Sequence, residues 1–218
     1  MNILIQDDIK LNIVGEVTVN EILPDGTKKI KRSDKNIVVS DGILLLLNYF
    51  FAKGSDQKLS GITHLGVGIG KPDFIDGVED VEKKGFMFGL SQLKNELFRV
   101  VRYDTIYYKK DDFGNMVRTV VPTDTVEFSF RLRQNEPVEP IYISEIGMFG
   151  GTVKVTEVPV ALLILDDLGK ISDGSRGYPV SRVTDMGTMF SYKYYDPPID
   201  KFPDVVLEFV WRVNFLRG

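Results

Sequence analysis

Gly66-Val67-Gly68-Ile69-Gly70 is the first segment whose composition suggests chemistry, because spaced glycines let a backbone cradle phosphate. A dinucleotide fingerprint needs G-x-G-x-x-G between a strand and a helix, and Lys71-Pro72-Asp73 follows here instead. The glycines alternate with Leu65, Val67 and Ile69, which predicts one face of a strand closely approached by another backbone or by an apolar helix. His64 is the single histidine, so any Ser-His-Asp relay must use it and a multi-histidine metal site is impossible. Its position opposite Leu65 and Val67 predicts a surface or interface histidine.

Carboxylates are the other candidates. Asp7-Asp8, Asp111-Asp112 and Asp166-Asp167 are pairs suited in principle to calcium or to acid–base work, and a glycoside hydrolase needs two such groups across a cleft. None follows the Asp/Asn and Gly spacing of a calcium loop, so solvated turn charges are expected. Glu145 differs, because it interrupts the alternation of Ile141 to Phe149. A carboxylate beside an apolar strand needs a partner, and Arg99 is the candidate. Two readings stay open: a structural or inter-subunit Arg99–Glu145 ion pair, and a partly exposed Glu at a bulge. Tyr178, Phe190, Tyr192, Tyr194 and Tyr195, beside Met189, form a further set suited to a sugar or a protein surface; a protein interface is expected.

The elements that position these residues are mostly strands. Ile9, Leu11, Ile13, Val17 and Val19 alternate with polar residues, Pro24-Asp25-Gly26 supplies a turn, and Thr27 to Val39 returns as the partner strand. Val126, Phe128, Phe130 and Leu132 alternate with Glu127, Ser129, Arg131 and Arg133. Val205, Leu207, Phe209, Trp211, Val213 and Phe215 predict a long central C-terminal strand. Asp111 to Asn115 reads as a hairpin tip between Val100–Tyr108 and Met116–Val121, and Ile62 to Ile69 as a strand. Ser40 or Asp41 caps an apolar helix from Ile43 to Ala52 that should be buried nearly all round, and a short helix is predicted over Leu90 to Leu97.

Hydrophobic residues make up 43% of the 218 and aromatics 11%, enough to fill a core. Lys and Arg number 27 against 31 Asp and Glu, a net charge of −4 that gives no reason to expect nucleic acid or an anionic membrane as partner. The absence of cysteine excludes disulfides, thiolate zinc sites and cysteine nucleophiles. Met1 to Asp8 does not follow the pattern of a secretion signal, and the apolar run from Ile43 is about half the length that spans a bilayer.

The order of several segments resembles a loose family of bacteriophage tail structural proteins, including tail-collar fibre, neck and baseplate-associated subunits. The segments are Asn36-Ile37-Val38-Val39-Ser40-Asp41-Gly42 leading into the leucine-rich helix, Ile62 to Gly70, Leu93-Lys94-Asn95-Glu96-Leu97-Phe98-Arg99, Val126 to Leu132, and Ile143-Ser144-Glu145-Ile146-Gly147-Met148-Phe149. Pro198-Ile199-Asp200-Lys201 before the strand Leu207 to Phe215 closes the series. The resemblance implies a virion component without catalytic activity or cofactor. Its partners are then its own copies, as a ring or trimer, and neighbouring virion proteins, and it is assembled in the host cytoplasm.

The fold expected is mainly β: one antiparallel β-sandwich-like domain over residues 1–218, with one buried apolar helix and two long excursions, 71–89 and 172–203. The second excursion is expected to be an arm ordered by neighbours, so that deleting 173–200 spares the core. A receptor- or glycan-binding module at a tail tip is the alternative function.

Overall fold

The computed structural model describes residues 11–51, 60–72, 87–151, 153–156 and 177–217. The pair Asp7-Asp8, the pair Asp166-Asp167, most of the 71–89 excursion and the start of the 172–203 excursion lie outside them.

The alternating segments form strands: β1 Leu11–Ile22, β2 Lys28–Val38, β3 Ser60–Gly68, β4 Glu96–Lys110, β5 Met116–Thr119, β6 Thr125–Leu132 and β7 Ile141–Gly151. Short pieces β8 Lys154–Val155, β9 Gly177–Pro179 and β10 Val183–Asp185 precede the long β11 Thr188–Lys201 and β12 Val206–Arg217. The α-helix α1 runs over Ser40–Phe51, and a short 3-10 turn over Val180–Arg182.

The protein is mainly β, as expected, but it is not a sandwich. The strand order β3-β7-β11-β2-β1-β12-β6-β4 returns from β4 to β3 and closes an eight-stranded barrel, with every neighbouring pair antiparallel. Two strands turn the corners. β4 gives residues 96–101 to β3 and, past a bulge at Arg102/Asp104, residues 102–108 to β6. β2 gives residues 28–36 to β1 and only Ile37 and Val38 to β11. Alternation marks which face of a strand is buried; it does not say whether sheet edges meet, and closure depends on these bends.

The inward row of β12, Leu207, Phe209, Trp211 and Val213, is fully covered, as the alternation requires. It sits between β1 and β6, and Val17, Val19, Phe130 and Leu132 pack against it. Burying such a row contributes about 2 kcal/mol per side chain before entropy is subtracted. The β1–β2 turn closes through Gly26, whose φ of +82° favours glycine, and Asp25 Oδ1 accepts from the Thr27 amide at 2.8 Å.

Three expectations change. Residues 90–95 are not helical, and the chain enters β4 at Glu96. α1 is not buried all round, for Leu45 reaches the core while Ile43 and Leu44 are exposed on the opposite side. Most importantly, the segment read as an arm is barrel wall. β11 pairs with β7 along Thr188 to Lys201 and with β2, so removing it would open the barrel rather than trim an appendage. Periodicity fails there because β11 bulges between Tyr194 and Ile199, and because both of its faces are covered around Met189–Tyr192.

Candidate functional site

Several of the predicted site residues meet on the outer face of the barrel, where residues 87–95 cover β3, β7 and β11. Ile146 and Met148 of β7 point into the barrel, while Phe149 joins Val39, Leu93, Met189 and Tyr192 in a second, smaller apolar cluster. Glu145 lies at the point where β11 bulges away, which is the physical basis of the broken alternation.

The Glu145 side chain is completely buried, so the partly exposed reading falls. Its carboxylate accepts the amides of Asn95 at 2.7 Å, Gly70 at 3.0 Å and Lys94 at 3.0 Å, and the Tyr192 hydroxyl at 3.4 Å. Gly68 and Gly70 make this possible. A Cβ on Gly68 would stand 2.6 Å from the Asn95 carbonyl and 2.7 Å from Glu145 Oε1. The alternating glycines therefore serve close backbone approach, as their pattern predicted, and the approaching element is the 93–95 segment rather than α1.

Arg99 is also fully buried, but the expected Arg99–Glu145 pair does not form. Arg99 donates through Nε and Nη2 to both carboxylate oxygens of Glu96, through Nη1 to the Met186 carbonyl at 2.8 Å, and lies 3.4 Å above the Phe149 ring. A two-pronged guanidinium–carboxylate contact with a stacked ring is strong, and Glu145 has its donors without it. Burial pushes the Glu96 carboxyl above its usual range, with Arg99 pulling it back and Glu145 pushing in the same direction as burial. The sequence signal for Glu96 was present in Asn95-Glu96-Leu97-Phe98-Arg99, where a helical reading concealed a strand entry.

His64 belongs to the same neighbourhood and is nearly covered, so it is not a surface histidine. Burial, then Arg99 and Arg102, lower its pKa to about 4, which keeps it neutral at physiological pH, and its Nδ1 lies 2.8 Å from Thr63 Oγ1. Chemically, the whole assembly anchors the chain on both sides of residues 73–86 to the barrel wall.

The predicted aromatic interface is dispersed. Phe190 and Tyr195 fill the barrel core, Tyr192 belongs to the second cluster, and Tyr194 and Tyr178 are half-buried, the latter paired with Arg99 across β9 and β4. Neither the Phe190 nor the Tyr195 side chain is available to a partner, because β11 turns both inward.

Two networks on the outer wall escaped sequence reasoning. On β12 the Glu208 carboxylate, wholly buried, receives Lys28 Nζ at 2.5 Å, Arg131 Nη2 at 3.3 Å, Asn20 Nδ2 at 3.3 Å and the Tyr103 hydroxyl. Burial raises its pKa, but the hydrogen bonds from Lys28 and Tyr103 outweigh burial and hold it below the usual carboxylate range. Four residues along the same ladder, Glu127 accepts from Arg212 at 2.8 Å and from the Tyr108 hydroxyl at 3.2 Å. The cross-strand pairs Glu208–Arg131 and Arg212–Glu127 make each charge face its opposite.

One element stands outside the ring. β4 runs past the barrel and turns through Asp111–Asn115 into β5, which pairs with β4 and with no other strand among the described residues. Asp111 Oδ1 holds the tip by accepting the amides of Phe113 and Asn115, so this aspartate is a turn anchor, as a solvated turn charge would be. Phe113 is 90% exposed and Val120 95%, with Val121 and Met116 exposed beside them. The hairpin itself was legible; its projection beyond a closed barrel was not.

Among the described residues no group of three or more His, Asp or Glu is set to hold a metal, and no helix is long and apolar enough to cross a membrane. No family model, no curated protein and no solved structure matches the chain.

Proposed function

We propose that this chain is a non-enzymatic structural subunit of a bacteriophage tail or tail-like particle, in the collar, neck, baseplate or fibre-attachment region. It works by oligomerising as a ring or trimer and docking neighbouring virion proteins. The observation that carries the reading is the projecting β4–β5 hairpin: apolar side chains presented to water at its tip (Phe113), on it (Met116) and just past it (Val120, Val121), beside an edge that no strand among the described residues covers, are costly unless a protein covers them. The rigid barrel behind it suits a part whose task is to hold a surface in place.

A second support is that three segments of the resemblance form one packed unit. Ile62–Gly70, Leu93–Arg99 and Ile143–Phe149 meet around Glu145, where Gly66 adjoins Phe149, Leu93 and Glu96. The alternative of a glycan-binding tip loses its main argument, since the tyrosines it relied on are largely structural.

Sedimentation velocity and negative-stain imaging of the purified protein test the proposal. The expected result is a discrete oligomer that Phe113→Asp with Val120→Asp disperses to monomer, with stability unchanged to within about 0.5 kcal/mol because these positions are exposed. A wild-type protein that stays monomeric at every concentration, or an oligomer indifferent to both substitutions, overturns the hairpin's role.

A further inference from the structure

The barrel is least closed between β2 and β11. Their ladder consists of Val38 with Ser191 and Ile37 with Tyr192, after which residues 28–36 run past β11 without a backbone pair. Side chains alone bridge the seam there: Arg32 Nη2 donates to the Pro197 carbonyl at 2.8 Å, and Lys193 meets Asp34 at 3.3 Å. Two polar groups on the β11 side of the seam, Ser191 Oγ and the Tyr195 hydroxyl, are buried with no hydrogen-bond partner among the described residues. The Asn36 amide, also unpartnered, lies instead over Gly15 of β1.

The same strand carries a charge out of keeping with the chain. β2 holds five cations, Lys28, Lys29, Lys31, Arg32 and Lys35, against one anion, Asp34, in a protein whose net charge is −4. Lys28 and Lys31 are engaged by Glu208 and Glu21. Lys29 and Lys35 are exposed and form no ion pair with any of the described residues, and Ile30 between them is 66% exposed.

We propose that this edge of β2 is a docking strand for an extended acidic segment of a partner protein, which adds to the wall beside residues 28–36. An extended backbone supplies the alternating donors and acceptors an unpaired strand edge requires, carboxylates answer Lys29 and Lys35, and an apolar residue covers Ile30. A nucleic acid would be drawn to the same lysines, but it has no alternating amides and carbonyls with which to satisfy a strand edge. The surface is separate from the hairpin, so failure at one leaves the other standing.

The probe is a fluorescein-labelled peptide of about ten residues alternating Glu and Val, titrated with the full-length protein and followed by fluorescence anisotropy. Saturable binding is expected, weakened about tenfold or more when alternate peptide amides are N-methylated, which removes backbone donors and keeps the charge. Lys29→Glu with Lys35→Glu should weaken it equally, with circular dichroism and hairpin-dependent oligomerisation unchanged; Ile30→Ser should weaken it less. No saturable binding, equal binding of the N-methylated peptide, or tighter binding of an oligothymidylate overturns the proposal. Self-association lost in the double lysine variant, without peptide binding, overturns it in favour of a second copy.

Discussion

Glu145 and Glu208 are both wholly buried carboxylates on the barrel's outer face, and the protein satisfies them in opposite ways. Glu145 takes three backbone amides from the two ends of the β3–β4 connection and one tyrosine hydroxyl, with no ion pair to a cation among the described residues. Glu208 takes a lysine, an arginine, an asparagine and a tyrosine from four strands. The donors differ in what they do when abandoned. A buried amide left by its acceptor has nowhere to turn, whereas Lys28, whose side chain is 53% exposed, can rotate back into water. Burial of the carboxylate alone therefore does not measure its importance; the mobility of its donors does.

Removing each carboxylate should separate the two. Glu145→Ala leaves the Gly70, Lys94 and Asn95 amides without an acceptor and should cost about 4 kcal/mol or more, a large part of the stability of a domain this size. Urea unfolding reads this directly, and a loss under about 1 kcal/mol would break the contrast.

His64 gives the Glu145 region its own acid limb. Its folded pKa of about 4 lies below the ordinary 6.5, so the unfolded chain binds the proton first. Stability should be level above pH 6.5, fall as pH drops towards about 4, and change no further below that on this group's account. The loss should be about 3 kcal/mol, and His64→Gln should abolish that slope in pH-dependent unfolding.

The Glu208 region should respond later and less. Glu208→Gln should cost about 1–2 kcal/mol at neutral pH, because the cations left behind can rehydrate. With its folded pKa held below the ordinary 4.5, Glu208 stabilises the barrel above that value and ceases to do so as pH falls through the lower one. The difference between wild type and variant should therefore vanish in acid, and a difference that persists there would assign the effect to packing. Lys28→Met should be the mildest, about 0.5 kcal/mol, with Arg131 and Tyr103 still in place.

Much of the wall was legible in advance because a strand with one covered face writes that face into every second residue. Leu207 to Val213 of β12, the β1–β2 turn at Gly26 and the tip at Asp111–Asn115 are all of this kind, and so are the glycines of β3 that admit the 93–95 segment. Each rests on interactions between residues close in the chain or on a single solvent-facing alternation. The tertiary structure alone decided the rest. It closed the sheet through the bends of β2 and β4, and made β11 wall rather than arm. It gave Arg99 to Glu96 and handed Glu145 to amides distant from it in sequence. A donor's identity can be read from its residue type, but which acceptor it reaches depends on strands brought together from the far ends of the chain. Nothing local records that meeting.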